Sequence, residues 1–328
     1  MTIPPCYKLL LTVVMFVSSN TLNATQYLLP SNPQDSLITE FDVKTIKEVR
    51  ARDDEDLLDI ARRFDLGQNE IVYLNPKVDR WSPKKDTIVT LPSIRLLPDT
   101  QRKGIVLNLA EFRLYYYPKA ARNAPAMVIT HPISIGRQDW NTPLGKTKIT
   151  AKKENPTWTP PASIKKEHLE KGDPLPDVVP AGPDNPLGLY AMRLGIPGYL
   201  IHSTNKAYGV GSRVSHGCIR MYPEDIATLF PKIKVGNLVT IVNQEIKVGW
   251  LGNQLFIEVH RALEETENNN EESLLDQALD LIEKANKGVL PLIKGKILRA
   301  ALTEKTGLAV KIFEKPAIKS EPKTVIIK

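Results

Sequence analysis

The chain has 328 residues, of which 25% are charged and 42% hydrophobic, as in an ordinary globular protein with room for two modest domains and tails. Its formal net charge is +7, but residues 289–328 hold nine Lys or Arg against three Glu, so the rest is nearly neutral. A nucleic-acid-binding protein would carry a basic stripe with aromatic residues on its folded part, and the sequence shows none. We therefore expect no nucleic-acid partner.

Residues 1–24 have the layout of a secretory signal peptide. Lys8 supplies the positive start, Leu9 to Val17 form a short apolar core, and Leu22-Asn23-Ala24 suits cleavage before Thr25. The apolar core is too short to span a bilayer. We expect cleavage and export, with an uncleaved N-terminal anchor as the alternative.

The signal peptide separates the two cysteines. Cys6 precedes the apolar core and leaves with the signal, so the exported protein keeps Cys218 as its one thiol and forms no internal disulfide. An unpaired thiol is a liability in an oxidising compartment unless it has a function. Cys218 is therefore the first candidate for chemistry.

Residues 41–92 are predicted to form a compact unit of order β-α-α-β, after a mobile lead at 25–40. Apolar residues fall at helical spacing from Leu57 to Phe64 and again from Ile71 to Leu74, just before Asn75-Pro76. The flanking strands are expected at Val43 to Val49 and at Thr87 to Leu91.

From Gly104 the sequence predicts a mostly antiparallel β domain, placed at 102–244, after a charged linker at 93–103. Short runs with alternating polarity and β-branched residues are separated by Gly and Pro. We expect these strands to close into a sandwich or a barrel, so the fold class is α+β, mainly β. The predicted strands are 105–109, 112–117, 127–135, 147–151, 189–194, 199–202 and 238–242.

Two segments of this domain are not predicted as strands. The Pro-rich stretch 155–186 is too long for a turn, and such a loop in a compact domain is usually a lid or a binding loop. Pro223-Glu224-Asp225 opens a helix that runs to about Phe230, with acidic residues in its first turn, where the helix dipole favours them.

The chain from 262 to 328 is predicted to carry an amphipathic helix and a basic tail. Leu274 to Ala285 place apolar residues on one helix face, and Gly288 closes the helix. The Lys-rich remainder contains Pro316 and Pro322 and is expected to be poorly ordered. It is either a solvated tail or a contact to an anionic membrane or another acidic surface.

The residues for nucleophilic catalysis lie around His202 and Cys218. Thiols attack as thiolates and need a base or a cation beside them. His202 lies sixteen residues before Cys218, enough for a strand, a turn and a return strand to bring the two together. On a strand, His216 and Cys218 would share one face. Gly217 allows the backbone to approach a substrate closely, and the amides of 216 to 218 would line a developing oxyanion.

His202 followed by Ser215-His216-Gly217-Cys218 resembles the signature of the YkuD-type L,D-transpeptidases, cysteine enzymes that cross-link peptidoglycan. Further motifs agree and resemble the periplasmic branch that carries an N-terminal LysM module. These motifs are Gly136 with Thr142-Pro143-Leu144-Gly145, Asn155 to Pro160, and Val179 to Pro186. The resemblance implies a periplasmic location and a flap over the active site at 155–186.

The unit at 41–92 is similar to a LysM domain, a module that binds the N-acetylglucosamine backbone of glycans. Asn75-Pro76 and the closing Leu91-Pro92 carry the likeness, whereas Arg52-Asp53-Asp54-Glu55 replaces the usual Gly-Asp-Thr opening. The alternative is a packing module that has lost its ligand.

Cys218 is the predicted nucleophile and His202 its base. His202 either takes the thiol proton or holds a thiolate as an imidazolium pair, and it then protonates the leaving amine. The family pattern implies that the backbone carbonyl of Ser203 orients the ring. Gly217 is expected to serve backbone geometry, and His216 either supports the thiolate or contacts substrate.

Four residues are candidates for substrate binding, each with a structural alternative. Arg220 stands where many family members have Asn, and it would bind a carboxylate of the donor stem peptide or form a salt bridge. Tyr190 and Met192 precede His202 on the neighbouring strand and would line the pocket or pack in the core. Trp158, inside the predicted flap, would cover substrate or anchor the loop.

The resemblance implies that Cys218 attacks the third residue, diaminopimelate, of a tetrapeptide stem and releases the terminal D-Ala. The thioester then passes to an amine, either the diaminopimelate of another stem, giving a 3-3 cross-link, or a lysine of an outer-membrane protein. No metal or organic cofactor is expected. The alternatives are an L,D-carboxypeptidase, with water as the acceptor, and a non-catalytic peptidoglycan-binding protein.

Two other classes of protein fit these residues less well. A zinc site made of His202, His216 and Cys218 has suitable ligand types but lacks the paired CxxC or HxxxH spacing of metal motifs. In a papain-like protease the cysteine comes well before the histidine, and here the order is reversed.

Overall fold

The computed structural model describes residues 25–39, 47–264 and 271–316. The predicted signal segment at 1–24 lies outside this part of the chain, as do the last residues of the basic tail and the start of the first strand predicted in 41–92. Of the chain, 22% is helical and 31% is in strands, so the prediction of a mainly β fold is confirmed.

The described residues form eighteen strands and six α-helices. The strands are β1 Thr25–Leu28, β2 Leu37–Thr39, β3 Lys47–Arg50, β4 Ile88–Leu91, β5 Ile94–Leu96, β6 Gly104–Asn108, β7 Arg113–Tyr117, β8 Met127–Pro132, β9 Ile135–Gly136, β10 Gly145–Glu154, β11 Tyr190–Leu194, β12 Leu200–His202, β13 Arg213–Ser215, β14 Ile219–Arg220, β15 Leu238–Val242, β16 Ile246–Leu251, β17 Gln254–Val259 and β18 Val310–Glu314. The helices are α1 Leu57–Arg63, α2 Gln68–Leu74, α3 Ala162–Glu170, α4 Pro223–Leu229, α5 Glu271–Ala285 and α6 Gly295–Glu304.

The central sheet has nine strands in the order β1-β8-β7-β6-β15-β10-β11-β12-β14. All seven strands predicted between Gly104 and Val242 are present, with ends shifted by a few residues. Most pairs are antiparallel, as predicted, but β6 pairs with β15 and β12 with β14 in parallel. The predicted helix at Pro223 is α4, whose apolar side chains join the core of this sheet. The flap at 155–186 contains α3, which the sequence pattern does not reveal.

The residues predicted as a mobile lead and as a linker contain strands, so these two predictions are wrong. β1 pairs antiparallel with β8, and β2 pairs antiparallel with β5. Strands of three or four residues are too short to show a clear periodicity in sequence. They are held by burial of their apolar side chains, which include Tyr27, Leu37, Ile38 and Leu96.

The unit predicted at 41–92 has the expected order β3-α1-α2-β4, with β3 and β4 paired antiparallel. The Asp56 side chain accepts hydrogen bonds from backbone N–H groups in the first turn of α1, which the helix itself leaves free. Asn75 follows α2 and ties it to β4 through two hydrogen bonds with the backbone of Thr90. The core of this unit consists of Ala51, Leu57, Ile60, Ala61, Leu66, Ile71, Val89 and Leu91.

The C-terminal residues form a further packed unit where a poorly ordered tail was expected. β16, β17 and β18 make a three-stranded antiparallel sheet, against which α5 and α6 pack. The predicted amphipathic helix is α5, but α6 and β18 contradict the expectation of poor order between 295 and 314. Their order has a tertiary cause, because Leu298 and Ile312 are buried in a core shared with Leu255. No helix in the described ranges is long and apolar enough to cross a bilayer.

Buried ion pairs join the small βααβ unit to the central sheet. Arg113 on β7 is fully buried and donates to the Glu70 carboxylate at 2.7 Å and to the Asp65 carbonyl at 3.0 Å. Arg95 on β5 pairs with the same carboxylate. Burial alone would raise the pKa of Glu70, but the two guanidinium groups hold it below its ordinary value. Removing one member would leave a buried charge unpaired, which is costly.

A second buried cluster joins the C-terminal sheet to the central sheet. The Lys247 ammonium on β16 lies 2.8 Å from the Glu111 carboxylate and 2.7 Å from that of Glu258. His260 Nε2 lies 2.7 Å from the same Glu258 side chain. Because each charge has an opposite charge beside it, burial of the cluster is tolerated and the two sheets are held in one arrangement.

The small unit also touches the segment that runs between His202 and Cys218. The backbone N–H of Gln68 donates to the Val210 carbonyl at 3.0 Å, and that of Asn69 donates to the Gly211 carbonyl at 3.2 Å. Gly211 has φ +89°, and a Cβ built on it would lie 2.2 Å from the Gly67 Cα. The two backbones can approach this closely because both residues are glycines.

We predict that Gly211→Ala destabilises the protein by about 2–5 kcal/mol, since it adds a clash with Gly67 to the strain of a positive φ. The matched control is Gly236→Ala, because Gly236 has φ +92° and no atom within 4 Å of a built Cβ. The control should cost about 1–2 kcal/mol. Chemical unfolding of both variants measures the difference, and equal losses would contradict the packing argument.

Candidate active site

The parallel pair β12 and β14 places the candidate catalytic residues. Ile201 lies opposite Ile219 and His202 lies opposite Arg220. Both isoleucines are fully buried in the core of the central sheet, so His202 and Arg220 point to the other face, and Cys218 directly precedes β14. The expectation of a return strand is wrong, because the segment 203–218 loops back and delivers β14 in the same direction as β12.

Cys218 is half-buried directly before β14. Its Sγ lies 3.6 Å from the Gly198 carbonyl. Burial raises the pKa of the thiol above its ordinary value, while the Leu200 N–H and the Arg220 charge pull the pKa in the opposite direction. The thiol is therefore protonated at neutral pH and needs a base to become a nucleophile.

His202 is 3% exposed and is the candidate base. Its register opposite Arg220 places it on the strand next to β14, which Cys218 directly precedes. Nδ1–H donates to the Ser203 carbonyl at 2.6 Å, the contact that the family pattern implies, and in this tautomer Nε2 is the basic atom. The Leu187 backbone also favours the protonated ring. Burial, and then the Arg220 charge, lower the pKa of His202 to about 3. The resting pair is thus a neutral imidazole and a neutral thiol.

The peptide between Gly217 and Cys218 is held in one orientation by Thr142. The Thr142 hydroxyl donates to the Gly217 carbonyl at 2.9 Å and accepts from the Gly136 N–H at 3.3 Å. In a trans peptide the N–H points away from the preceding C=O, so Thr142 also sets the direction of the Cys218 N–H. That amide is one of those expected to line the oxyanion.

Gly217 has a geometric reason to be glycine. Its φ is +96°, and a built Cβ would lie 2.7 Å from the ring of Tyr199. Residues 216 to 218 lie between β13 and β14, outside any strand. The expectation that His216 and Cys218 share a strand face is therefore wrong, and the turn at Gly217 turns the two side chains to different surroundings.

His216 is held by residues far from it in sequence. Its ring packs edge-on against Trp140, with 5.1 Å between centroids, and Nε2 lies 2.9 Å from the Glu167 carboxylate. Burial lowers the pKa of His216, although the Glu167 charge opposes this. Glu167 belongs to α3 in the flap and also pairs with Arg137 and Lys171.

Arg220 lies beside both catalytic side chains. Its backbone forms a bridge with Ser134, and its charge acts on the pKa values of Cys218 and His202. Within residues 25–39, 47–264 and 271–316, no carboxylate lies within ion-pair distance of its guanidinium. The salt-bridge alternative for Arg220 thus has no support in this part of the chain.

The remaining candidates are placed away from the catalytic face. Met192 lies opposite Ile201 and is fully buried, so it packs in the core and does not line a pocket beside His202. Tyr190 shares that face and packs against Phe230, with 4.8 Å between ring centroids. Trp158 forms two backbone hydrogen bonds with Val179 across the flap, as a loop anchor does.

Sequence reasoning missed four residues at this site: Arg137, Thr142, Glu167 and Tyr199. Thr142 belongs to the motif Thr142-Pro143-Leu144-Gly145, which carries part of the family resemblance, so that motif could have identified it. The other three come from separate segments and meet only in the folded chain. No local pattern distinguishes them from surface charges or core aromatics.

Comparison with known proteins supports a common family. The family model YkuD, L,D-transpeptidase catalytic domain, matches residues 102–241. An Escherichia coli K12 protein named "Probable L,D-transpeptidase YbiS" is 43% identical over 257 residues, which cover 78% of this chain and 80% of that one. "Probable L,D-transpeptidase ErfK/SrfK" from the same strain is 39% identical over 73% of this chain and 75% of its own length.

Solved structures give more distant matches. An L,D-transpeptidase from Mycobacterium smegmatis is 18% identical with a TM-score of 0.33, over 49% of this chain and 71% of that one. The catalytic domain of the Enterococcus faecium L,D-transpeptidase, solved by NMR, is 21% identical with a TM-score of 0.31, over 44% of this chain and 98% of that one.

The pKa of Cys218 can be tested by alkylation. We expect its reaction with iodoacetamide to speed up steadily from pH 7 to pH 9, because the thiol pKa lies above the ordinary 9.0. Arg220→Met keeps most of the side-chain bulk and removes the charge that favours the thiolate, so the rate at pH 8 should fall about threefold to tenfold. Arg220→Lys keeps a charge and should react close to wild type. Equal rates for Met and Lys variants would contradict this role of Arg220.

Proposed function

This chain belongs to the YkuD family of L,D-transpeptidases, and we propose that it remodels peptidoglycan through a thioester on Cys218. The donor is a tetrapeptide stem, cleaved after its third residue, diaminopimelate. The observation that carries the proposal is the parallel pairing of β12, which ends at His202, with β14, which Cys218 directly precedes, together with the contact of the His202 ring to the Ser203 carbonyl.

The first step is acylation of the thiol. As Sγ of Cys218 attacks the carbonyl carbon of the L-centre of diaminopimelate, His202 Nε2 takes the thiol proton and a C–S bond forms. The negative charge on the carbonyl oxygen is stabilised by the Cys218 N–H, whose direction is set by Thr142. The intermediate collapses, the C–N bond to D-Ala breaks, and His202 returns the proton to the leaving amine.

The second step transfers the acyl group to an amine. The acceptor attacks the thioester carbonyl, His202 takes a proton from it, and the sulfur leaves and regains that proton. One amide bond is exchanged for another through a thioester, so no ATP is consumed. The acceptor is the side-chain amine of a second diaminopimelate or a lysine of an outer-membrane protein. The chemistry needs no metal or organic cofactor.

The neutral state of the resting pair decides how the nucleophile is generated. A pKa of about 3 for His202 and a raised pKa for Cys218 disfavour a standing thiolate–imidazolium pair. Proton transfer then accompanies attack, and the substrate carbonyl must be in place first. Such an enzyme keeps its one thiol unreactive in an oxidising compartment until a donor binds.

Arg220 and the flap are proposed to position the donor. The Arg220 guanidinium is available for a bidentate contact to a stem carboxylate beside Cys218. The base of the flap is held by the fully buried Asn185, whose amide donates to the Pro156 carbonyl at 2.9 Å and to the Pro180 carbonyl at 3.0 Å. Trp158 anchors the same base, which leaves α3 as the part that faces substrate.

The domain organisation follows the same proposal. A signal peptide at 1–24 directs the protein to the periplasm, a LysM-like unit at 41–92 holds glycan, and the catalytic domain spans 102–244. Beyond residue 262, α5, α6 and β18 pack with β16 and β17 beside it. The contacts of α2 with Val210 and Gly211 give the LysM-like unit a packing role as well, because they brace the segment between the two catalytic residues.

Cleavage before Thr25 is supported by what its nitrogen contacts. The Thr25 N–H donates to the Asp65 carboxylate at 3.0 Å. Cleavage would turn this N–H into an α-ammonium group with an ordinary pKa of about 7.7–8.0, and the hydrogen bond into an ion pair.

The transpeptidase proposal predicts D-Ala release from a disaccharide tetrapeptide by the purified enzyme. Cys218→Ala should abolish release, and His202→Gln should lower kcat at least about a hundredfold, because the thiol then has no base. Mass analysis of the products separates linked stems from free tripeptide, and tripeptide alone would identify an L,D-carboxypeptidase. Undiminished release by Cys218→Ala would refute the proposal.

The export proposal predicts a mature chain that begins at Thr25, measured by the intact mass of protein recovered from the periplasm. At pH 6.5, where the α-amine is protonated, Asp65→Asn should lower the Tm of this mature chain more than that of a chain carrying one extra residue before Thr25. A mature mass that retains residues 1–24 would show an uncleaved anchor instead. Equal Tm losses in the two chains would rule out the ion pair.

A further inference from the structure

The flap touches the nucleophile segment through one carboxylate. Glu167 lies on α3, and its Oε2 is 2.9 Å from His216 Nε2, two residues before the nucleophile. The Arg137 guanidinium contacts the same oxygen. The Lys171 ammonium lies 2.5 Å from the other oxygen, Oε1. The three hydrogen bonds hold the pKa of Glu167 far below its ordinary value, so the group is a carboxylate at any working pH.

The two partners on the central domain are held independently of the flap. The Arg137 backbone N–H donates to the Ser215 carbonyl at 3.0 Å, and Gly136 lies opposite Ser215 in the parallel pair β9 and β13. The His216 ring packs against Trp140. Arg137 and His216 therefore keep their places beside the nucleophile turn when the flap moves, whereas Glu167 moves with α3.

An arginine and an imidazole on a rigid turn are suited to bind a carboxylate. A guanidinium offers planar paired donors, and the neutral imidazole donates through Nε2–H in one tautomer. Side-chain exposures of 34% for Arg137, 18% for His216 and 21% for Glu167 show that the group opens to solvent. A carboxylate that arrives from outside can thus take the place of Glu167.

We propose that Arg137 and His216 form a second carboxylate subsite for the donor stem, and that Glu167 occupies it as an internal substitute while no donor is bound. This inference rests on the proposed function, because the donor is taken to be a stem peptide. That donor carries a carboxylate on its terminal D-Ala and another on the side chain of diaminopimelate. One of them binds at Arg220 and the other at Arg137 and His216.

The exchange leaves the charge of the subsite unchanged and frees the flap. When the donor carboxylate displaces Glu167, the contact between α3 and His216 is lost, while Lys171 stays on the flap with Glu167. The flap is then free to move toward the donor. The Glu167 carboxylate competes with the donor for the subsite, so it weakens donor binding. It also discriminates against peptides that lack a carboxylate to displace it.

Matched glutamates on α3 test the competition. Glu167→Gln removes the internal carboxylate, and the KM for the tetrapeptide donor should fall about threefold to tenfold, because the donor no longer displaces an ion pair. Glu170→Gln is the control, since Glu170 is on the same helix, is exposed and pairs only loosely with Lys166 at 3.9 Å. Its KM should match wild type. An unchanged or higher KM for Glu167→Gln would overturn the competition.

Amidated donors test the subsite. Arg137→Met should raise the KM for the free-acid donor about tenfold to a hundredfold, the effect of losing a charge-assisted hydrogen bond. Two donors, amidated either at the terminal D-Ala or at the diaminopimelate side chain, identify which carboxylate binds. The donor that is amidated at the carboxylate bound by Arg137 should give similar KM values with wild type and Arg137→Met. Equal losses for all three donors would overturn the subsite.

Binding without turnover separates the two proposals. Calorimetric titration of Cys218→Ser enzyme with the same three donors measures affinity whether or not the reaction occurs. Suppose that Cys218→Ser enzyme binds the free-acid donor more tightly than one of the amidated donors, and that this difference disappears in the Cys218→Ser, Arg137→Met double variant. That result supports the subsite even if the wild-type enzyme releases no D-Ala. If the enzyme turns over but binds the acid and amide donors equally well, the proposed function stands and the proposal of the subsite is refuted.

Discussion

The parallel pairing of β12 with β14 is the constraint on which the site depends. Ile201 and Ile219 face each other in the core, and alternation along the two strands then turns His202 and Arg220 to the opposite face, with Cys218 directly before β14. A slip of one residue in either strand would bury the base or the nucleophile in the apolar core. Burial of the two isoleucines therefore favours the register that keeps His202 and Arg220 out of the apolar core.

Burial then sets the chemical state of that pair. Desolvation favours the neutral form of each group, lowering the pKa of His202 and raising that of Cys218. The Arg220 charge lowers both pKa values, so it adds to the fall for His202 and partly offsets the rise for Cys218. In the proposed mechanism a proton therefore moves only when a substrate carbonyl is present, and the Thr142 contact orients the amide that would meet the developing charge.

Buried ions hold the three packed units in one arrangement around this pair. Glu70 accepts from Arg113 of the central sheet, and Lys247 of the C-terminal sheet reaches Glu111. Both clusters are largely buried, so separating the units would leave charges without their partners at high cost. The small unit also packs against the candidate site, since its helix α2 contacts the Val210 and Gly211 carbonyls in the segment between His202 and Cys218.

The sequence by itself determined the strands of the central domain and the helix at Pro223, and it supplied the candidates for nucleophile and base, because alternation and local motifs are written in neighbouring residues. Only the tertiary structure decided that β14 runs parallel to β12, that Met192 faces the core, that α6 and β18 are ordered, and that Glu167 meets His216. A strand's periodicity shows that it has two faces, but its partner, direction and register are chosen by contacts between residues far apart in the chain. Order in α6 and β18 comes from a shared core and not from local propensity, which is why a lysine-rich segment that looks disordered alone is folded here.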